Sequence, residues 1–114
     1  MSEFKDSKNF AIAQFNVCWV IALRAEAIPI IEAFKMKILD NQSLFPIYAN
    51  ETTGHALIIS GIGSIKSAAA ATFLKNYLQI KNYTAWINLG IAGFPRDPIG
   101  DIYQAVKVLS LIHI

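Results

Sequence analysis

Hydrophobic and polar positions along the chain predict five strands and two helices. Short apolar runs rich in β-branched and aromatic side chains favour strands. The predicted strands are residues 15–23, 44–48, 56–60, 83–89 and 102–109. Residues 25–35 place apolar side chains on one helical face, and an alanine-rich stretch predicts a second helix over residues 65–80. The order β-α-β-β-α-β-β favours an α/β fold with a central mixed, mostly parallel sheet.

Polar segments between these elements predict turns. The turn over residues 50–54 joins the second and third strands as a hairpin, and we expect His55 beside it to be solvated. Residues 40–43 predict a second turn. Tyr83 and Trp86 suit a buried strand, and Phe94 is a candidate for stacking on a base.

Two glycine turns come directly after predicted strands, and they carry the clearest indication of function. Residues 60–64 read Ser-Gly-Ile-Gly-Ser and lead into the alanine-rich helix, and residues 88–93 read Asn-Leu-Gly-Ile-Ala-Gly. Glycine permits positive φ and close approach of a ligand to the backbone. On neighbouring strands of an open α/β sheet, both turns would border a crevice at the carboxyl edge. The pattern therefore predicts a small-molecule site.

The first glycine turn has a functional and a purely structural interpretation. Gly61, Gly63 and Ser64 precede a helix, whose free N–H groups and dipole favour an anion. Alternatively, the glycines only make a tight turn and Ser64 is the N-cap. A dinucleotide motif is excluded, because Lys66 stands where G-x-G-x-x-G requires glycine.

Glu26 follows the first predicted strand, at the same edge of the sheet. A carboxylate at the start of a helix is stabilised by the helix dipole, which is a sufficient structural explanation. The functional alternative is a carboxylate that binds a water molecule or a sugar hydroxyl. Arg24 is either a phosphate ligand or a solvated side chain, and spacing leaves both open.

Composition limits the class of protein. The chain has 114 residues, of which 54% are hydrophobic and 16% charged, so it forms at most one domain and is not disordered. This is a large apolar share for so short a chain, and we expect either neighbouring subunits or a missing half to cover the excess. A net charge of +2 without basic runs argues against nucleic acid and anionic membranes as partners.

The cysteine and histidine residues argue against a disulfide, a metal site and a catalytic triad. Cys18 is the single cysteine, so no internal disulfide forms, which fits a reducing cytoplasm. Its apolar neighbours predict a core thiol. His55 and His113 lack partners in the pattern of a metal site or a catalytic triad, so neither site is predicted.

With these motifs in this order, the chain resembles the nucleoside phosphorylase and nucleosidase superfamily. It is most similar to the amino-terminal half of methylthioadenosine/S-adenosylhomocysteine nucleosidase relatives. The ordered set of motifs, which ends with Gly100-Asp101, is fairly specific. The similarity covers about residues 16–108, within a family-like region of residues 10–109. The resemblance implies the amino-terminal part of a phosphorylase/hydrolase-like three-layer fold, with no metal or organic cofactor and a homodimer or higher homo-oligomer.

The resemblance also implies roles for individual residues. Glu26 matches the carboxylate that activates the attacking water, and Ile62 matches an apolar contact to the 5′ substituent of the ribose. The remaining positions match segments beside the ribose and the nucleoside. They are Ala22, Leu23, Ile91, Ala92 and Gly93.

Two departures from the family pattern bear on the reaction. Ile91 stands where nucleosidases of this type usually carry serine, which removes a hydroxyl contact to ribose. Asn88 stands where many phosphorylases carry a phosphate-binding arginine, which favours hydrolysis, although Arg24 is available as a phosphate ligand. The expected function is therefore nucleoside N-glycosidic bond cleavage with water. The alternatives are a phosphate-dependent purine nucleoside phosphorylase, a non-catalytic nucleoside-binding or assembly protein, and a structural fragment.

The resemblance covers only part of the family's length. Residues 1–114 are expected to be a single incomplete domain, because the family's catalytic acid and base-binding loop follow this region. Residues 109–114 resemble translated sequencing-adapter DNA, which predicts an artificially truncated reading frame with residues 110–114 as an artefactual tail. This chain alone is expected to be inactive and to expose sheet surface.

Overall fold

A computed structural model describes residues 14–40, 44–92 and 100–107. Within these ranges the chain is an α/β structure with a mixed five-stranded sheet and two helices. In chain order the elements are β1 (Val17–Ile21), α1 (Arg24–Ala33), β2 (Lys37–Asp40), β3 (Ile47–Asn50), β4 (His55–Ile59), α2 (Ser64–Leu78) and β5 (Ala85–Asn88). The strand order across the sheet is β2-β3-β4-β1-β5.

The sheet divides into a parallel and an antiparallel part. β1 pairs in parallel with β4 on one side and with β5 on the other. β3 pairs antiparallel with β2 and with β4, which confirms the predicted hairpin. Two of the four pairings are parallel, so the described strands do not bear out the predicted mostly parallel character.

Successive residues of the strands belong to two separate hydrophobic clusters. Cys18, fully buried on β1, lies in one cluster with Leu74 of α2. Ile21, also fully buried on β1, lies in the other with Ala27 of α1. Because strand side chains point alternately to the two faces of a sheet, both faces of β1 are covered by apolar side chains. The burial of Cys18 confirms the prediction of a core thiol.

Among the described residues, one predicted helix ends early, one strand was not predicted and one predicted strand is absent in part. The helix predicted to reach residue 35 ends at Ala33, because Lys35 has a φ of 52°. Strand β2 follows, where no strand was predicted. Lys37 and Ile38 are exposed, so burial of an apolar face does not define this strand. Its pairing with β3 does. The predicted strand 102–109 is absent over residues 102–107, and the rest of it lies outside the described residues.

The order of the elements and the burial of the last strand also differ from the prediction. The observed order is β-α-β-β-β-α-β, with the other strands within three residues of their predicted bounds. β5 is exposed rather than buried: Tyr83 before it is 61% exposed and Trp86 within it 39%. β5 pairs only with β1 among the described strands, so one of its edges lacks the neighbour that buries a central strand. Of the predicted turn 40–43, only residue 40 is described, and it ends β2.

Candidate functional site

Three parallel strands end at one edge of the sheet and bring the predicted site residues together. The glycine turns follow β4 and β5. These strands were predicted to be neighbours, but β1 lies between them. Backbone hydrogen bonds join the ends: Ser60 N–H donates to the Ile21 carbonyl at 2.9 Å, and Gly61 N–H to the Ala22 carbonyl at 3.0 Å. The turn that leads to Glu26 therefore lies between the two glycine turns.

A cavity of about 420 Å³ opens at this edge, and we call it the edge cavity. Backbone and small side chains from the ends of β1, β4 and β5 and from the first turns of α2 line it. These residues are Ala22, Ser60, Gly61, Gly63, Ser64, Ser67, Ala68, Ala71 and Asn88. Four predicted site residues thus meet in one cavity. Small side chains leave its volume open, and hydroxyl and amide groups supply hydrogen bonds.

The start of α2 borders the edge cavity and lacks a side-chain cap. Gly63 is the N-cap, so the expectation that Ser64 fills this position is wrong. The first bond of the α-helical pattern is donated by Ser67 N–H to the Gly63 carbonyl at 3.0 Å. The N–H groups before Ser67 at the helix start have no partner of that pattern, and a glycine N-cap has no side chain to accept from them. They are donors for an anionic or polar ligand group.

Gly61 needs glycine for conformation and for space. Its φ is +84°, and a Cβ there would stand 3.1 Å from Cδ of Lys66. Lys66 therefore folds back over the glycine turn. Lys66, which excludes a dinucleotide motif, thus places its amine near the edge cavity.

Glu26 connects the turn after β1 with the turn after β5. Its Oε1 accepts a hydrogen bond from Leu23 N–H at 3.3 Å, across the start of α1. Its Oε2 accepts one from Ile91 N–H at 3.0 Å and lies 3.6 Å from where a Cβ of Gly90 would stand. Glu26 is half-buried. The helix-start interpretation accounts for the first bond, but the bond to a residue 65 positions away is a tertiary contact.

Arg24 uses one of its guanidinium donors within the protein, which argues against a role as a phosphate ligand. Its Nη1 donates to the Tyr48 hydroxyl at 2.7 Å, on strand β3. Arg24 is not among the residues that line the edge cavity.

The predicted apolar contacts are exposed and do not line the edge cavity. Leu23 is 42% exposed, Ile62 71% and Ile91 86%. Ala92 is also exposed, whereas Gly93 and Phe94 lie outside the described residues.

Five residues of the edge cavity were not among the sequence predictions of site residues. They are Ser60, Ser67, Ala68, Ala71 and Asn88. A helical spacing of three and four residues from Ser64 indicates Ser67, Ala68 and Ala71 as a common face of α2. Their lining of a cavity depends on how α2 packs across the ends of the strands, which periodicity does not specify.

His55 is not the solvated turn residue that was expected. It begins β4, is partly buried, and its Nδ1 accepts a hydrogen bond from Trp19 Nε1–H at 2.9 Å. Burial lowers the pKa of His55. Its apolar surroundings come from Trp19 and Phe34, which belong to β1 and to the residue after α1.

The described residues also bear on metal binding and on membrane insertion. Among them, no group of three or more His, Cys, Asp or Glu side chains could hold a metal ion. The helices of the same ranges are too short or too polar to cross a bilayer. Comparison with protein-family models, curated proteins and solved structures found no match. The family resemblance therefore stays a prediction from the sequence.

Proposed function

We propose that this protein binds a nucleoside at the edge cavity and cleaves its N-glycosidic bond with water. The observation that carries the proposal is the position of Glu26. Its carboxylate is held by backbone N–H groups from two turns. Glu26 itself does not line the edge cavity, but Ala22 in its own turn and Asn88 at the start of the second glycine turn do. A methylthioadenosine/S-adenosylhomocysteine-type or related purine nucleoside is the substrate class that the resemblance implies.

The hydrogen bonds of Glu26 leave it able to act on a water molecule. Among the described residues, each oxygen accepts one backbone N–H, and an ionised carboxylate oxygen can accept about two hydrogen bonds. One acceptor position therefore remains on each oxygen. Hydrolysis would add the hydroxyl of water to the anomeric carbon, while a proton from an acid reaches the departing base. Glu26 would take the proton of the water.

Phosphorolysis is the second candidate, and the start of α2 favours it. The uncapped N–H groups there are suited to phosphate oxygens, and Lys66 lies over the same turn. Against it stand Asn88, which carries no charge, and the bond that directs Arg24 to Tyr48. The product separates the reactions: hydrolysis releases free sugar, whereas phosphorolysis requires phosphate and releases sugar 1-phosphate.

The fold and assembly belong to the same proposal. We propose the amino-terminal part of a three-layer phosphorylase/hydrolase-like fold, which two hydrophobic clusters with one helix each support. We also propose a cytoplasmic homodimer or higher oligomer, in which a neighbouring subunit helps to close the site. The exposed Ile62 and Ile91 near the glycine turns support such closure.

Nucleoside binding at the edge cavity can be tested with a pair of glycine variants. Gly61 and Gly54 both have positive φ, and a Cβ at either position stands 3.1 Å from a side-chain atom. Gly61→Ala and Gly54→Ala should therefore destabilise the fold similarly, by about 1–2 kcal/mol. Calorimetry with 5′-methylthioadenosine, adenosine and inosine should show weaker binding only for Gly61→Ala. Equal effects of both variants, or no binding by the parent protein, would contradict the proposed site.

Glu26→Gln tests the reaction. The amide keeps an acceptor oxygen and the size of the side chain but cannot take a proton. In the complete protein, which would include the catalytic acid that the family resemblance implies, nucleoside binding should persist, while the rate of cleavage, followed by release of the free base, should fall about 10²–10⁴-fold. Cleavage at the parent rate would eliminate the role of Glu26. Binding without cleavage by the complete protein would instead support the non-catalytic alternative.

A further inference from the structure

An aromatic cluster on the α1 face of the sheet joins the end of α1 to two strands. Trp19 Nε1–H donates to His55 Nδ1 at 2.9 Å, between β1 and β4. The His55 ring stacks on Phe34, with centroids 3.8 Å apart and planes inclined by 16°. Phe34 is the C-cap residue of α1. A chain of contacts thus runs from β1 through His55 to the carboxyl end of this helix.

Asn50 provides a second attachment at the same place. It is the cross-strand partner of His55 in the β3–β4 hairpin. Its Nδ2 donates to the carbonyls of Phe34 and Lys35, each at 3.0 Å. The hairpin therefore holds the end of α1 twice, through backbone carbonyls at Asn50 and through a ring at His55. Only the second attachment contains a group that titrates near neutral pH.

We propose that Trp19, His55 and Phe34 form a pH-sensitive clasp, which holds the carboxyl end of α1 while His55 is neutral and loosens when His55 is protonated. The indole N–H can only donate, and Nδ1 can accept from it only in neutral imidazole. Protonation turns Nδ1 into a donor and breaks the bond to Trp19. An imidazolium would still be attracted to the Phe34 face, but that attraction supplies no acceptor for the indole.

The surroundings of His55 give the direction of the switch. Charged residues on the elements around it are Arg24, Glu26 and Glu32 on α1, Lys35 after it, Lys37 and Asp40 on β2, and Glu51 in the hairpin turn. β1 carries no charged residue. In the described part of the chain none of these groups is bonded to His55, and burial lowers its pKa from the ordinary 6.5. The clasp is therefore closed above pH 6.5 and opens as the pH falls through the lower value.

An NMR titration of the unmodified chain tests the clasp directly. The His55 ring, the Trp19 indole N–H and the backbone amides of Phe34 and Met36 should shift with one common midpoint below 6.5. The indole N–H of Trp86, on exposed β5, serves as the internal control and should not follow this midpoint. Titration of His55 without any response of the Trp19 indole would overturn the proposal.

Two variants separate the indole bond from general packing. Trp19→Phe removes the donor that favours neutral His55, so the pKa of His55 should rise toward its ordinary value. Trp86→Phe is the matched control and should leave it unchanged. An unchanged pKa of His55 in Trp19→Phe would overturn the proposal. His55→Gln should abolish the shifts of Phe34 and Met36 near this midpoint; their persistence would also overturn it. If Trp19→Phe does not fold, the titration of the unmodified chain still decides.

Discussion

At the scale of single residues, the burial of Cys18 determines the reactivity of its thiol. Its sequence neighbours predict a core position, and the structure places it fully buried in the cluster below α2. Burial raises the pKa of the Cys18 thiol from its ordinary 9.0 to about 12. Because the thiolate is the reactive form, burial removes both access and reactivity.

We therefore expect Cys18 to react with a disulfide reagent such as Ellman's reagent only when the protein unfolds. In native buffer the labelling rate should equal the unfolding rate and be independent of reagent concentration at high reagent. In denaturant the single thiol should react at once. Cys18→Ala provides the blank. Fast, stoichiometric labelling of the folded protein would show that Cys18 is not a core thiol.

At the scale of elements, the end of α1 depends on a side chain from a distant hairpin. Asn50 donates from Nδ2 to two carbonyls at that end, and its Oδ1 accepts from Thr52 N–H at 2.9 Å. One amide thus connects helix and turn. The sequence predicted the turn from its polar residues, but the contact with α1 needs the antiparallel pairing of β3 and β4.

Replacing Asn50 should separate these two roles. Asn50→Ala loses all the side-chain bonds and should lower the free energy of unfolding by about 1–3 kcal/mol, since the partly buried Phe34 carbonyl loses its donor. Asn50→Asp keeps the acceptor for the turn but loses both donors to α1. Urea denaturation of the two variants would compare them. If Asn50→Asp were as stable as the parent, the bonds to α1 would contribute nothing.

At the scale of the whole molecule, two shifted pKa values limit the pH range of greatest stability. The pKa of His55 is lowered from 6.5 by burial, so the folded state binds its proton less readily than the unfolded state. The pKa of Cys18 is raised from 9.0 to about 12, so the folded state keeps its proton longer. Acid therefore favours unfolding through His55, and alkali favours unfolding through Cys18.

The free energy of unfolding should accordingly have a plateau between about pH 6.5 and 9 as far as these groups determine it. Above pH 9.0 it should fall by up to about 1.4 kcal/mol per pH unit, the limit for one proton. Urea midpoints measured across the range would show both arms. Cys18→Ala should flatten the alkaline arm, and His55→Gln should flatten the acid arm. An arm that survives its variant belongs to other groups.

The sequence by itself determined the type and approximate place of most elements in this protein. Local periodicity and turn chemistry decide these features, and for the same reason the glycine turns and the buried Cys18 were readable from neighbouring residues. Strand β2 and the surroundings of His55 were not, because each depends on a partner strand or ring that is distant along the chain.

Only the tertiary structure decided which of the candidate residues meet. The sequence places Glu26 at a helix start, but its bond to Ile91 N–H exists because β1 lies beside β5. The edge cavity likewise forms because α2 packs against β1 and β4 and so brings its first turns to the ends of β1, β4 and β5. Local preference acts over a few residues, whereas strand order and helix packing are determined by the burial of apolar faces throughout the chain.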